Sequence, residues 1–513
     1  MTQNETNPTP TATETNPNAP IPRAQRPAEP LIFEKHTPGS IGVDLPPLDV
    51  PAANLPDTLT ESAPNLPELG QLDVVRHYTR LSQRNFSVDG NFYPLGSCTM
   101  KYNPRINEAA ASMPGIAAAH PLQADETVQG LLAILYELRQ DLAEIAGLDD
   151  CSLQPCAGAH GEWTALKVIR AYFNDPTAGN APQRRTVLAP DTAHGTNFAS
   201  CAMCGANVVP IKSKDGLVDL DQLRANVNDQ TAALMITNPN TAGLFDGQIG
   251  DIADILHKAG ALLYLDGANM NAILGIARPG DFGVDIMHYN THKTFSTPHG
   301  CGGPGAGPIA VRDFLTPYLP TPQVEQSTNA DGSHTYHLNH NLPKSIGKVR
   351  SFFGQVGVLV RAWTYIRAAG PEGLRNISET AVLAANYLAA KLDHRYAKPY
   401  FDPAAKRYCA HEFITVPQPL LDRGVTLIDI AKRMIDYNVH PPTMHWPVHD
   451  CLMIEPTETE SLDTLDRFIA TMHAIADEAE QDTTLLANAP TDSTIQRADE
   501  VAAARSPVIT HRS

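Results

Sequence analysis

Five short apolar runs constrain this chain more than any other feature: Val187–Ala189, Leu234–Thr237, Leu262–Asp266, Ile286–Tyr289 and Pro308–Val311. Between them lie helical patterns at Glu162–Phe173, Leu220–Val227 and Ile252–Ala259. The runs are continuous rather than alternating, which is the pattern of strands buried on both faces. Strand and helix alternation from about Val128 to Val311 predicts an α/β domain around a mostly parallel sheet.

Such sheets bind ligands beyond the carboxyl ends of their strands. Polar residues fall at four of those ends. Asp191 and His194 follow the first run, and Asn238, Asn240 and Thr241 follow the second. Asp266 closes the third, and His292 and Lys293 follow the fourth. Lys293 sits between an apolar stretch and a glycine-rich run, Cys301 to Gly307, where a surface lysine would be out of place. A desolvated lysine has a lowered pKa and is a better amine nucleophile. Lysine after one strand and aspartate after another is the pair that pyridoxal 5′-phosphate requires. The amine forms a Schiff base with the aldehyde, and the carboxylate keeps the pyridine nitrogen protonated. Asp266 also reads as an ordinary Asp-Gly turn residue, and His194 as a packed core histidine.

The segment Gln154–Glu162 carries small residues into an amphipathic helix with Trp163, Leu166 and Ile169 on one face. Backbone N–H groups at such a helix start favour a phosphate. The spacing lacks GxxxxGK[ST], which counts against an ATPase. Gly96–Pro104 is a loop rich in hydroxyl and amide groups, a composition more typical of function than of simple connection.

The formal net charge of -18 argues against a nucleic-acid binder. No apolar run approaches the ~18 residues of a membrane span. The first residues, Met1 to Pro30, lack a basic start and apolar core, so they predict a disordered lead and not a secretory signal. A cytoplasmic location is expected. The eight cysteines are scattered and form no disulfide framework. Cys201 and Cys204 have CxxC spacing without a second pair, on what reads as a packed helix, so no metal site is expected.

The chain divides into a lead and extended arm over 1–70, a helical and loop segment over 71–130, and the cofactor-binding domain over 131–330. A smaller α+β domain follows over 331–485, with helices at Gln355–Ala369, Thr380–Leu392 and Leu427–Tyr437 and a strand at Glu412–Val416. Residues 486–513 read as a polar tail.

These segments resemble the glycine decarboxylase P-protein family of the glycine cleavage system, most closely subunit 2 of its bacterial two-subunit form. The resemblance rests on Arg76–Gln83, Phe92–Pro104, Ala157–Glu162, Ala193–Asn197, Thr237–Thr241, Tyr264–Asn271 and His292–Gly305. It continues through Lys344–Phe353, His440–Thr443 and Glu455–Glu460, covering about residues 70 to 505. It implies a fold-type I (aminotransferase-like) enzyme. Lys293 would be the Schiff-base lysine, Asp266 the pyridinium partner and His194 the ring-stacking, catalytic histidine. His292, Ala157, Gly158, Ala159 and Thr241 would complete the cofactor-binding set. Cys301, Phe198 and Cys156 depart from the family pattern, and Cys301 narrows the backbone freedom of its loop.

The implied reaction is loss of carbon dioxide from glycine and transfer of the remaining aminomethyl carbon to the lipoyl arm of H-protein. Lys293 would also move protons. The chain matches the C-terminal half of the single-chain form, so a separate subunit 1 is implied, in an α2β2 assembly. Arg350, Thr99 and His440 are candidates for the substrate carboxylate. A decarboxylase or lyase acting on another amino acid and a silent assembly subunit are the competing readings; keeping both Lys293 and Asp266 disfavours the second.

Overall fold

The computed structural model describes residues 29–62, 64–178, 183–300, 305–493 and 495–509. Residues 1–28 of the N-terminal lead lie outside the described residues, as does Cys301. Seven strands form the large sheet: β1 (Asp150–Ser152), β2 (Thr186–Pro190), β3 (Asn207–Ile211), β4 (Thr231–Thr237), β5 (Leu262–Gly267), β6 (Ile286–Tyr289) and β7 (Ile309–Val311). Their order across the sheet is β1-β7-β6-β5-β4-β2-β3. The five from β3 to β6 run parallel. The last of the predicted runs, β7, is antiparallel to β6, and β1 is antiparallel to β7.

Alternate residues of the same strand enter two different cores, which explains the continuous apolar runs. Leu234, Ile236, Leu263 and Leu265 pack on one side, against helix α1 (Gln129–Ala146) and others. Ala233, Met235, Leu262 and Tyr264 pack on the other, against α2 (Gly158–Asn174) and α3 (Gly195–Met203). Cys201 and Cys204 belong to this second core. Burial pushes the Cys201 thiol up to about 12, away from the thiolate that a redox pair or metal ligand needs.

Helix α4 (Ile249–Lys258) connects β4 to β5, and the short α5 (Thr291–Thr294) follows β6. A hairpin, β8 (Gln323–Thr328) and β9 (His334–Asn339), leads toward α6 (Val356–Lys391). The gap expected between two helices there shrinks to one residue. Gly370 (φ 63, ψ 178) and Pro371 break the helix, which then resumes at once. The smaller unit carries β10 (Phe413–Thr415), β11 (Thr443–Met444) and β12 (Leu452–Ile454), in the order β10-β12-β11. Its core includes Leu388, Ile430, Phe468 and Met472. The polar segment beyond Ala487 is tied back, because Arg497 donates to Asp429 at 2.6 Å and to the Ala489 carbonyl at 2.8 Å.

Candidate active site

Because β2, β4, β5 and β6 are parallel neighbours, their carboxyl ends open on one rim. A cleft of about 270 Å³ lies there, near the lower end of the ~300–1,000 Å³ usual for small-molecule sites. It is lined by Lys293, Asp266, His194, His292, Ala157, Gly158, Ala159 and Thr241, so every residue singled out for the cofactor meets in one place. Not all the strand-end polar groups reach it. Asn240 accepts the N–H groups of Ala242 and Leu244, and Asn238 accepts that of Asp246 at 2.8 Å, so both brace the loop after β4. Asp191 accepts the Ser213 N–H at 3.0 Å, braces the loop after β2 in the same way, and is absent from the lining.

Lys293 stands on α5 and is buried. Its Nζ donates to the Ser97 carbonyl at 2.5 Å, so the loop singled out at Gly96–Pro104 closes over it. Thr294 pins the turn by accepting the Met270 N–H at 2.9 Å. The loop is itself anchored by Lys101, whose Nζ donates to the Thr294 carbonyl at 2.8 Å and to Glu458 at 2.7 Å.

Asp266 closes β5 and is 3% exposed. It accepts the Asn197 amide at 3.1 Å and the Ala268 N–H at 3.0 Å. Behind it, the Tyr264 hydroxyl meets His288 Nδ1 at 2.5 Å, and His288 Nε2 stands 3.4 Å from Asp266. Burial lowers the His288 pKa, so its ring is neutral. A hydroxyl donating to Nδ1 leaves the proton on Nε2, directed at the carboxylate.

His194 caps α3, its Nδ1 accepting the Thr196 N–H at 3.2 Å. Burial lowers its pKa. His292 is pushed down to about 3 by burial and by His299, Lys293 and His288. Both rings are therefore neutral at pH 7. Glu162 also lines the cleft. Burial and the Asp266 charge push it up to about 8, while Ser200 donates to it at 2.8 Å.

Within the Gln154–Glu162 segment the helix starts earlier than the predicted Glu162. Helix α2 begins at Gly158, which places the Gly158 and Ala159 N–H groups in its first turn. A Cβ on Gly158 would stand 2.1 Å from Asn290 Oδ1, and one on Gly307 would stand 2.0 Å from the Ala157 carbonyl. Only glycine permits this close approach. Around the turn, buried Asn290 Oδ1, His292 Nδ1 and Thr237 Oγ1 have no hydrogen-bond partner among the described residues. Buried polar atoms without partners mark a place that a polar ligand can complete. A helix N-terminus, neutral donors, a buried amine and a buried carboxylate fit a phosphorylated aldehyde with a ring nitrogen.

The three candidates for the substrate carboxylate do not line the cleft. Thr99 donates to Glu455 at 2.6 Å and is fully buried. His440 stacks on Tyr93 at 3.6 Å. Arg350 donates to the Leu153 carbonyl at 3.1 Å and to the Phe353 carbonyl, and burial brings it down to about 10. The cleft instead contains Ser97, from the loop singled out at Gly96–Pro104, together with His411 and Glu412, which no sequence pattern marks as site residues.

The family model described as glycine cleavage system P-protein matches residues 53–424, and that of the glycine dehydrogenase C-terminal domain matches 377–498. The chain is 52% identical over 487 residues to a probable glycine dehydrogenase (decarboxylating) subunit 2 of Halalkalibacterium halodurans, covering 93% of this chain and 97% of that one. It is 51% identical over 488 residues to the protein of the same name in Bacillus licheniformis, covering 93% and 98%. Among solved structures, an inhibitor-bound glycine decarboxylase (P-protein) of the glycine cleavage system superposes with TM-score 0.67 at 22% identity, covering 81% of this chain and 93% of that one. The sphingosine-1-phosphate lyase of Burkholderia pseudomallei superposes with TM-score 0.60 at 15% identity, covering 83% and 95%. These structural likenesses show the fold, that of the fold-type I enzymes.

Proposed function

The chain belongs to the glycine cleavage system P-protein family, and on that premise we propose that it decarboxylates glycine with pyridoxal 5′-phosphate bound at Lys293. The aminomethyl group passes to the lipoyl arm of H-protein, the work of a glycine dehydrogenase (aminomethyl-transferring). One observation carries the reading: the buried Lys293 amine and the buried Asp266 carboxylate line a single cleft.

When bound, pyridoxal 5′-phosphate supplies a protonated ring that takes up the electron pair left when carbon dioxide departs. Lys293 provides the amine that tethers it and later carries protons at Nζ. Asp266, fixed by Asn197, Ala268 and His288, keeps the ring nitrogen protonated. His194, neutral at pH 7, would hold the cofactor ring. Ala157, Gly158, Ala159, Thr241 and His292 would hold the phosphate, and the α2 N-terminus would offer it N–H groups. The Ser97 carbonyl, accepting from Nζ, holds the amine in place.

The relatives' names specify a subunit 2. A subunit 1 therefore completes the enzyme, in an α2β2 assembly. No helix among the described residues is long and apolar enough to cross a membrane, and a cytoplasmic enzyme is the form proposed.

The test is glycine-dependent exchange of carboxyl carbon with bicarbonate, using the chain purified with subunit 1 and lipoylated H-protein. Exchange with glycine is expected, and its loss without H-protein. Exchange with serine or alanine but not glycine would overturn the substrate.

A further inference from the structure

Glu412 in the cleft and Glu455 beside it are acids that cofactor binding does not require. Glu412 stands just before β10, is 3% exposed and lines the cleft with Lys293. Its Oε2 accepts the Ser97 N–H at 2.7 Å, and the Ser97 carbonyl accepts the Lys293 amine at 2.5 Å. One residue therefore spans the carboxyl and the amine. Glu455 follows β12, which pairs with β10. Its Oε1 accepts the Thr99 hydroxyl and the Asn269 amide, while its buried Oε2 has no partner among the described residues. His411 is 2% exposed with neither ring nitrogen hydrogen-bonded. One atom from each of His411, Glu412 and Glu455 lies within 4.8 Å of the others.

Two buried carboxyl groups this close, neither ion-paired to a lysine or arginine within 4.0 Å among the described residues, do not both ionise at neutral pH. The groups facing Glu412 are Glu455, Lys293 across the Ser97 loop and neighbouring His411, and those facing Glu455 include Glu458 and Cys98. Burial and then Glu455 push Glu412 up to about 8, against the Ser97 N–H and the Lys293 charge. Burial pushes Glu455 up to about 7. His411 is held near 3 by burial and stays neutral.

Resting on the glycine-to-lipoyl reading above, we propose that Glu412 is the catalytic acid that protonates the lipoyl sulfur leaving during aminomethyl transfer. The carbon left by decarboxylation uses its electron pair to form a C–S bond. The S–S bond breaks, and the departing sulfur keeps that bond's electrons. The carbon is oxidised and the disulfide reduced. The departing sulfur takes its proton from the Glu412 carboxyl and becomes a thiol. Zwitterionic glycine yields an aminomethyl group in its ammonium form plus a thiol, so the reaction consumes one proton. The Glu412 carboxylate recovers it from solvent through the cleft.

Glu412→Gln keeps an oxygen for the Ser97 N–H and removes the proton. Infrared difference spectra of the chain with ¹³C-labelled glutamate, parent minus variant, recorded without cofactor, should show a carboxylic-acid band at neutral pH that fades through about 8, over the signal of other raised glutamates such as Glu162 and Glu455, which both chains keep. With cofactor and subunit 1, transfer to lipoylated H-protein should fall by about 100-fold. The basic limb near 8 should disappear, while the spectral change on adding glycine remains. Glu412→Asp should restore a basic limb. An ionised Glu412 at neutral pH, or transfer by Glu412→Gln within about threefold of the parent, would overturn the proposal. Failure to bind cofactor would instead refute the functional reading and leave the infrared result to decide Glu412.

Discussion

Replacing Lys101 by methionine tests how the loop over Lys293 is held. Lys101 is 3% exposed, and its ammonium donates to Glu458 at 2.7 Å, the Thr294 carbonyl at 2.8 Å, Tyr365 at 3.2 Å and Asn271 at 3.4 Å. Burial alone would depress this ammonium, but the Glu458 charge and the Tyr365 hydroxyl carry it above the ordinary lysine value. Methionine fills the channel without the charge and leaves Glu458 buried and unpaired. Breaking a buried pair on one side costs about 3–5 kcal/mol, and that loss is expected for Lys101→Met. The Lys101→Met/Glu458→Gln double variant should fall short of the summed single costs by more than about 1 kcal/mol. The assay is denaturant unfolding at neutral pH. The sign with pH is fixed: a raised lysine stabilises fully below its free value, ~10.4, and loses that share as pH rises through the folded value. The penalty should therefore be constant across the neutral range and shrink only in strong alkali. A cost below about 1 kcal/mol, or strict additivity, would refute the role given to this pair.

Gly307→Ala places a Cβ 2.0 Å from the Ala157 carbonyl, and backbone there yields little. A loss of about 1–3 kcal/mol is expected, with weaker cofactor binding by fluorescence titration. Gly130→Ala, a helical position with nothing within 4 Å, is the control and should stabilise by up to about 1 kcal/mol. Gly370→Ala also meets nothing within 4 Å, so its expected cost of about 1–3 kcal/mol in unfolding comes from the backbone conformation alone. The hydrogen bond that the His257 Nε2–H donates to the Asp285 carboxylate raises the His257 pKa. Its stabilisation is complete below the free value, ~6.5, and is lost as pH rises through the folded one. The Tm deficit of His257→Gln should therefore be larger at about pH 6 than at about pH 8.5.

Much of the site was legible because it is local to strand ends. Continuous runs with polar termini led directly to Lys293, Asp266, His194, His292 and Thr241, since parallel neighbours place like ends together. The same logic overreached at Asp191, Asn238 and Asn240, whose side chains brace loops. A period of two cannot tell a ligand from a turn residue when both are Asn or Asp. Glu412 and Glu455 were not legible as site groups, because they reach Ser97 and Thr99 across more than 300 residues of chain. Their chemistry comes from mutual burial, which no local pattern encodes. Strand β3 was hidden because its burial is partial and Pro210 interrupts it, as suits an edge. Strand β1 has only three residues. The hairpin β8–β9 is largely solvent-facing and carries little apolar signal.

The central claim is that Lys293 is the tether. The most direct measurement is peptide mass spectrometry after incubating the chain and its partner subunit with pyridoxal 5′-phosphate and reducing with borohydride. A single phosphopyridoxyl mass on the peptide containing Lys293 is expected, absent from Lys293→Ala. The label on another lysine, or a visible band that survives in Lys293→Ala, would contradict it.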